Sequence, residues 1–512
     1  MRLAEIVGAL SIATDLGMGL RPQSALSVCV LAHRLADRLG LPTDVRVRVY
    51  YLALLRNIGC TAGAQDFAAL VGDEIEFRRA VAPLDLSSRR GLLSYLRRHA
   101  VGQSAGVSGR LATLFRLATH PNLLNEASAA VCEVAQRFAA RLGFGERLQD
   151  DLLLLYERYD GRGVPAGLPG AEVTWPARVV QVAEAAVLHD ELGGIAAAVE
   201  MLRARSGAAY HPDVVDAFCA DAADLLTGVR DDGGWQLALD AEPGERPVLS
   251  GPTLDDALRT MGDFADLTSP YMVGHSAGVA DLAAAAARAA GLPAHDVTLL
   301  RRAGWLHDLG RVAISAQIWG SPRALTRGQR ARVRLHPQYT GRILAPSPAL
   351  RPVAALAVTH HERMDGSGYH RGGTAADLSP AARLLAAADV YRALTEQRPY
   401  RPAYSADDAG KELLEQAHTG QLDGDAAAAV LTAVGRRVPR RRNGVAGLTS
   451  REIEVLRLLA RGRSTKEIAV QLLVSQRSVE HHIERIYAKA GVRTRAAAAA
   501  FALQQQLMEP AG

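Results

Sequence analysis

The sequence predicts an all-α protein in which two distant copies of one helical domain precede a small three-helix domain. Three observations carry that prediction. Apolar residues recur at three- and four-residue steps along most of the chain, while alternating runs of Val, Ile and Thr that would mark strands are scarce. The periodicity is suspended at Asp231-Asp232-Gly233-Gly234, between Glu242-Pro243-Gly244 and Gly251-Pro252, and from Arg436 to Gly447. Finally, the first two blocks repeat one frame: Leu54-Leu55-Arg56-Asn57-Ile58-Gly59 matches Trp305-Leu306-His307-Asp308-Leu309-Gly310, and Tyr156-Glu157-Arg158-Tyr159-Asp160-Gly161 matches His361-Glu362-Arg363-Met364-Asp365-Gly366. The predicted domains are therefore 1–240, 252–435 and 448–512, with a basic linker over 436–447.

At 512 residues and 48% hydrophobic content the chain is long enough for three buried cores. No run of about 18 uncharged apolar residues occurs, which excludes a membrane-spanning helix, and the start Met1-Arg2-Leu3-Ala4-Glu5, with one base and one acid before any long apolar block, does not read as a secretory signal. A cytoplasmic location follows as the expectation. Cys29, Cys60, Cys132 and Cys219 are widely spaced without a CxxC pair, so neither a zinc knuckle nor a disulfide framework is indicated, and buried thiols are expected. The net charge of +5 is unevenly spread: from Arg436 to the end there are 15 Lys/Arg against 6 Asp/Glu, so the terminal +9 stands against −4 for the rest. Positive charge concentrated in one small region suits a part that meets a polyanion.

In the second block, His275, His307, Asp308, His336, His360, His361 and Asp389 come from separate helical segments and fall on core-facing stripes. His275 shares a face with Val279, Leu282 and Ala286, and Asp389 follows Ala382, Leu385 and Ala386 on a helix begun by Ser379-Pro380. Single histidines such as His189, His211 and His418 are satisfied core residues. Seven inward ligands need a partner that the surrounding Ala and Leu cannot supply, and metal ions supply it. Imidazole and carboxylate donors without thiolate favour iron or manganese over structural zinc, and one carboxylate such as Asp308 can bridge two divalent ions. Tyr271 stands where a carboxylate would support a third ion, so two are expected. The first copy has Arg56-Asn57 for His307-Asp308, Leu155-Tyr156 for His360-His361 and Glu184 for Asp389. Arginine and leucine cannot ligate a metal, so that copy keeps the fold without catalysis and serves as a partner, lid or sensor.

The second block resembles the HD-domain phosphohydrolases, and among them the HD-GYP group. The resemblance runs over about residues 260 to 405, through Gly274-His275-Ser276, His307-Asp308-Leu309-Gly310-Arg311, His360-His361-Glu362, Asp365-Gly366-Ser367-Gly368-Tyr369, Ala388-Asp389 and Arg398-Pro399-Tyr400-Arg401. It implies two HD-like helical domains, the first degenerate. It also implies that the seven residues bind two metals, which activate a water for in-line attack on a phosphodiester, commonly that of cyclic di-GMP. Asp308 and Arg311 are the expected catalytic residues. Two positions depart from the motif: its lysine is Arg311, and its proline after Gly-Tyr is His370. Arg311 stands four residues beyond His307, so its guanidinium is placed to hold a phosphate oxygen by fork geometry. His370 removes the ring that would fix the turn.

After Leu448, Thr449 to Glu452 and Ser464 to Glu467 each spell a capping box, and Ser475 caps a third helix. Ile453, Leu456, Ile468, Ala469, Leu472, Val479, Ile483 and Ile486 form one small apolar centre, with turns at Gly462 and at Leu473-Val474-Ser475. Arg477, His481, Arg485 and Lys489 follow at four-residue steps as a cationic stripe suited to the major groove. The segment resembles the LuxR-type helix-turn-helix module through Leu448-Thr449, Lys466-Glu467-Ile468-Ala469, Ser478-Val479-Glu480 and Ala490-Gly491-Val492-Arg493-Thr494-Arg495. That implies a recognition helix from Ser475 to Ala490 presenting Ser475, Gln476, Ser478 and Glu480 beside the cationic stripe, Lys466 on a phosphate, and a homodimer on double-stranded DNA. The reading is a transcription regulator with a metal-dependent hydrolase for a cyclic dinucleotide or related phosphodiester. A non-hydrolytic nucleotide or metal sensor is the alternative, and a dimerisation scaffold a third.

Overall fold

Every regular element is helical, because the apolar spacing that buries one stripe of each segment recurs at 3.6 residues. The computed structural model describes residues 1–82, 123–229, 234–436, 448–472, 474–505 and 507, and among these only isolated bridges such as Arg2 to Val248 depart from helix and loop. The breaks expected at 231–233 and 437–447, and Leu473 of the expected turn, lie outside the described residues. Among the described residues no helix is long and apolar enough to cross a membrane. All four cysteines are free thiols; Cys29 and Cys132 are buried, whereas Cys60 and Cys219 are only half-buried.

The chain divides into two compact units, Met1–Arg436 and Arg437–Gly512, so both copies lie in the first. The helix Leu3–Gly17 explains why. It buries 13 of its 15 residues, leaving almost no face to solvent. It packs on Ser24–Arg38 and Thr43–Leu55 of its own copy, and on the 3-10 turn Leu309–Ala313 and the helix His336–Leu344 of the other. Glu5 accepts a hydrogen bond from the Ser347 hydroxyl at 2.8 Å, and Leu3 donates its amide to Pro247 at 2.8 Å, tying the chain start to the inter-copy connection.

The repeat seen in the sequence is a repeat of helices. Leu3–Gly17, Ser24–Arg38 and Thr43–Leu55 stand to the first copy as Gly251–Asp266, His275–Ala289 and Ala294–Leu306 stand to the second. Ser24–Arg38 follows Gln23 in a left-handed conformation (φ 71°), and His275–Ala289 follows Gly274 (φ 80°). At each start a buried aspartate accepts the next amide: Asp15 from Ala25 and Asp266 from Ser276, both at 2.9 Å. Helices in the second copy approach closely, since a Cβ on Gly304 would lie 2.5 Å from the Ala280 Cα.

Among the described residues the second unit contains four helices, Ser450–Ala460, Thr465–Gln471, Gln476–Ala490 and Arg495–Gln504, where the sequence indicated three. The fourth was hidden because Ala496 to Ala500 present no large apolar side chain to mark a stripe. Its Ala498 and Ala502 are fully buried against Leu456, Ile468, Val479 and Ile486, and Thr494 caps it by accepting the Ala497 amide at 3.1 Å. Both capping boxes form as read, at Thr449 with Glu452 and at Ser464 with Glu467.

Candidate metal centre and nucleic-acid interface

The candidate ligands of the second copy gather at helix ends rather than along helix faces. His275 opens its helix, His307 follows the last turn of Ala294–Leu306, His336 opens His336–Leu344, and His360 lies three residues beyond the end of Arg351–Ala357. Asp389 alone stands mid-helix, within Pro380–Thr395, which Ser379 caps as expected by accepting the Ala382 amide. Helix ends leave carbonyls without intrahelical partners. Three histidines use them: His307 donates Nδ1–H to Gly304, His336 to Val333 and His360 to Ala357, each at 2.7 Å to a carbonyl three residues back. Nδ1 is thereby protonated in each ring, and Nε2 carries the lone pair toward the centre.

Asp308 sits between two imidazole groups. Its Oδ1 is 3.2 Å from His336 Nε2 and 3.6 Å from His360 Nε2, while Oδ2 is 3.6 Å from His307 Nε2 and 3.8 Å from His275 Nε2. Asp389 sets Oδ1 3.3 Å from His275 Nε2 and Oδ2 3.8 Å from His361 Nδ1. Ligand atoms of His275, His307 and Asp308 lie within 4.8 Å of one another, as do those of His336, His360 and His361. All seven predicted residues therefore converge.

Two observations test whether cations fit there. The buried His307 Nε2 has no hydrogen-bond partner. His336 and His360 bring their Nε2 atoms to 3.0 Å, although each ring already places its proton on Nδ1, so two lone pairs face each other. A cation resolves both conditions, and the donor set of imidazoles and carboxylates fits one. The charge states agree. Burial pushes His307 down to about 4 and lowers His336, which keeps them neutral. Asp308 is held well below the usual carboxylate range: burial opposes this, but the neighbouring imidazoles and the Arg311 guanidinium outweigh it. His275 is the exception: it is raised to about 9, its burial overcome by hydrogen bonds with Asp389 and Glu396, so it must release its Nε2 proton to bind an ion.

Glu396 escaped the sequence reading, whereas Arg398, Arg401, Glu362 and Tyr369 were read only as parts of motifs. Glu396 accepts the His275 Nδ1 proton at 2.7 Å and ion-pairs with Arg398 at 3.0 Å. It lies seven residues after Asp389, nearly on the same helical face, and that spacing was the available signal. Arg398 is not a solvated loop residue, since it also donates to the Tyr271 carbonyl at 3.0 Å. Arg401 donates to the Leu394 carbonyl at 3.1 Å and so closes the end of the Asp389 helix. The loop bearing His370 keeps its turn without proline: buried Glu362 accepts the amides of Arg371 and Gly373 at 2.8 Å each, as Glu157 accepts those of Ala166 and Leu168 in the first copy. Tyr369 stacks at 4.6 Å on His361, the most exposed ligand, and marks the mouth.

In the first copy a fixed cation stands where the second copy has ligands. Arg56, at the place of His307, donates Nη1 to Ala53 three residues back, Nε to Glu184 at 2.9 Å, and lies 3.9 Å from Asp15. Tyr156, at the place of His361, has its hydroxyl 3.0 Å from the Cys60 thiol. Among the described residues no cluster of metal ligands occurs there.

In the second unit Lys466, Ser475, Gln476, Arg477, Ser478, Glu480 and His481 are exposed and Arg485 is half-buried. Ser475 is occupied as the cap of Gln476–Ala490, accepting the Ser478 amide at 3.1 Å. Lys489 differs from the other stripe residues, because its Nζ donates to buried Glu452 at 2.7 and 3.1 Å and joins the first helix to the third.

Comparison with known proteins matches residues 259–426 to the HD domain family and 446–502 to the bacterial regulatory proteins of the luxR family. The 3'3'-cGAMP-specific phosphodiesterase 3 of Vibrio cholerae is 26% identical over 421 residues, covering 81% of this chain and 91% of that protein. A cyclic di-GMP phosphodiesterase of Pseudomonas aeruginosa is 38% identical over 169 residues, 32% of this chain and 40% of that one. Among solved structures, a cyclic GMP-AMP specific phosphodiesterase of V. cholerae superposes with a TM-score of 0.60 at 24% identity, covering 86% of this chain and 99% of the other, which shows the shared fold.

Proposed function

We propose that this chain, which joins an HD domain to a C-terminal LuxR-type helix-turn-helix domain, is a transcription regulator whose second copy is a metal-dependent phosphodiesterase for a cyclic dinucleotide. The placement of Asp308, with one carboxylate oxygen toward each imidazole group, carries the reading. His275, His307, Asp308, His336, His360, His361 and Asp389 would hold two divalent ions, iron or manganese by donor type. Such ions supply an activated water and neutralise charge on a phosphoryl group.

The chain's own residues do the rest. Asp308 and Asp389 hold negative charge at the centre, Nδ1–H bonds fix the rings of His307, His336 and His360, and Glu396 fixes His275. Arg311 presents a guanidinium beside Asp308 and is the group that would orient a phosphate oxygen. The relatives act on 3'3'-cGAMP and on cyclic di-GMP, so a cyclic dinucleotide diester is the substrate class. We assign 1–240 as the non-ligating copy, 252–435 as the hydrolase, 436–447 as the joining segment and 448–512 as the DNA-binding end, acting as a cytoplasmic homodimer. Lys466, Ser475, Gln476, Arg477, Ser478, Glu480, His481 and Arg485 are assigned to DNA, whereas Lys489 acts chiefly through Glu452.

The test is turnover by the full chain loaded with Fe(II) or Mn(II) on 3'3'-cGAMP, cyclic di-GMP and bis(p-nitrophenyl) phosphate. Linear product from a cyclic dinucleotide, lost in His307→Ala, is the expected result. Protein holding two ions that binds a cyclic dinucleotide stoichiometrically and turns over none of the three is a sensor instead.

A further inference from the structure

Between Arg311 and His336 the chain leaves the centre and returns, and on the way Trp319 touches both ends. The Arg311 guanidinium stacks 3.6 Å from the Trp319 ring centroid, the indole N–H donates to the Arg311 carbonyl at 3.3 Å, and the ring meets His336 edge-on at 5.7 Å. Arg311 makes one long contact with Asp308, 3.4 Å, and its buried Nε has no hydrogen-bond partner. The guanidinium is thus placed by stacking, which leaves its donors available to an anion.

Trp319 ends a helix of four residues, Ala316–Trp319, too short to be stable by itself. Ser315 caps it locally by accepting the Gln317 amide at 3.3 Å, and the remaining support comes from the other copy. Glu74, 1% exposed, accepts the Ser315 hydroxyl at 2.6 Å and the Ala316 amide at 2.8 Å, so a buried carboxylate of the first copy caps this helix from outside. Ala64 and Ala68 pack on Ala316, and the neighbouring Asp73 ion-pairs with Arg332 at 3.2 Å, farther along the same excursion. A carboxylate buried this deeply requires such partners, so the two copies are fixed in register at this point.

We propose that Glu74 is a positioning residue for the phosphate-binding group: it fixes Ser315–Ala316, these fix Trp319, and Trp319 orients Arg311. The non-ligating copy thereby completes the site of the other. The catalytic part of this inference rests on the phosphodiesterase reading, while its binding part does not.

The experiment uses the full chain loaded with Mn(II), with variants Glu74→Ala, Glu74→Gln, Ser315→Ala and Trp319→Leu. Removing hydrogen bonds to a charged acceptor is expected to raise the KM for bis(p-nitrophenyl) phosphate about tenfold in Glu74→Ala. The kcat should change much less, and Glu74→Gln, which keeps one acceptor and the volume, should restore part of the loss. The Kd for inorganic phosphate by calorimetry should rise by a similar factor with the bound manganese unchanged. The double variant Glu74→Ala/Trp319→Leu should be no worse than the worse single one. Wild-type phosphate affinity in a folded Glu74→Ala, fully multiplicative effects in the double variant, or metal loss in parallel with phosphate loss each overturn the proposal, as does a wild type with no phosphate affinity. Where Glu74→Ala does not fold, Glu74→Gln and Ser315→Ala decide by the same criteria. A wild type that turns over no diester, yet loses phosphate affinity on Glu74→Ala, overturns the phosphodiesterase reading and supports this one.

Discussion

At the scale of the residue, proton placement decides what the centre can hold. His307 has its Nδ1 proton committed to Gly304 and its Nε2 unpartnered, so under the proposed function it is prepared before any ion arrives. His307→Ala should lower bound metal and reduce turnover by at least about a hundredfold, against the loss of about ten- to a hundredfold usual for an outer-shell partner. Elemental analysis beside a diester assay reads both, and full metal content in the variant would remove His307 from the ligand set. A second residue-scale expectation concerns Asp15 in the first copy. Burial, opposed by Arg56 and the Ala25 amide, pushes its carboxyl up to about 7. Its unfolded value is near 3.9, so the folded state binds this proton more tightly. The resulting stability is fully present below about pH 4 and is lost as pH rises through about 7. Thermal unfolding between pH 5 and 8 should therefore show a downward component of at most about 1.4 kcal/mol per pH unit. Asp15→Asn should flatten it; an unchanged slope in that variant would place the proton elsewhere.

At the scale of the element, the recognition helix separates residues that hold it from residues free to read DNA. Lys489 and Arg477 share the cationic stripe and are both exposed, yet Lys489 is tied to buried Glu452. Lys489→Ala should cost the domain about 1 kcal/mol, the partial exposure of Lys489 limiting the value. Hydrogen exchange over the helices Ser450–Ala460 and Gln476–Ala490 in the full chain would report it. Arg477→Ala should leave that protection within about 0.5 kcal/mol but reduce the salt slope of DNA binding by about 1. Exchanged outcomes for the two variants would reverse the assignment.

At the scale of the molecule, the two copies share one body. Leu3–Gly17 packs against the 3-10 turn that follows His307-Asp308, and Glu74 caps the helix that carries Trp319. A fragment of residues 252–436 keeps all seven ligands but loses both supports. It should be poorly soluble, or if soluble should retain less than half of the metal bound by the full chain at equal loading. Full-chain stability and metal content in the fragment would show that the first copy contributes nothing to the centre.

What the sequence determined by itself was local and periodic: helices from apolar spacing, capping boxes at Thr449 and Ser464, and seven imidazole and carboxylate residues directed inward, though not their place at helix ends. Side-chain type and helical phase are properties of a few neighbouring residues, so they are readable in order along the chain. The Ala-rich fourth helix of the second unit escaped because alanine marks no stripe. Tertiary structure alone decided which oxygen of Asp308 faces which imidazole group, that Glu184 and the Ala53 carbonyl hold Arg56 in its place, and that Glu74 reaches Ala316 across more than two hundred residues. Those contacts depend on distances closed by packing between segments remote in sequence, and no local pattern encodes them.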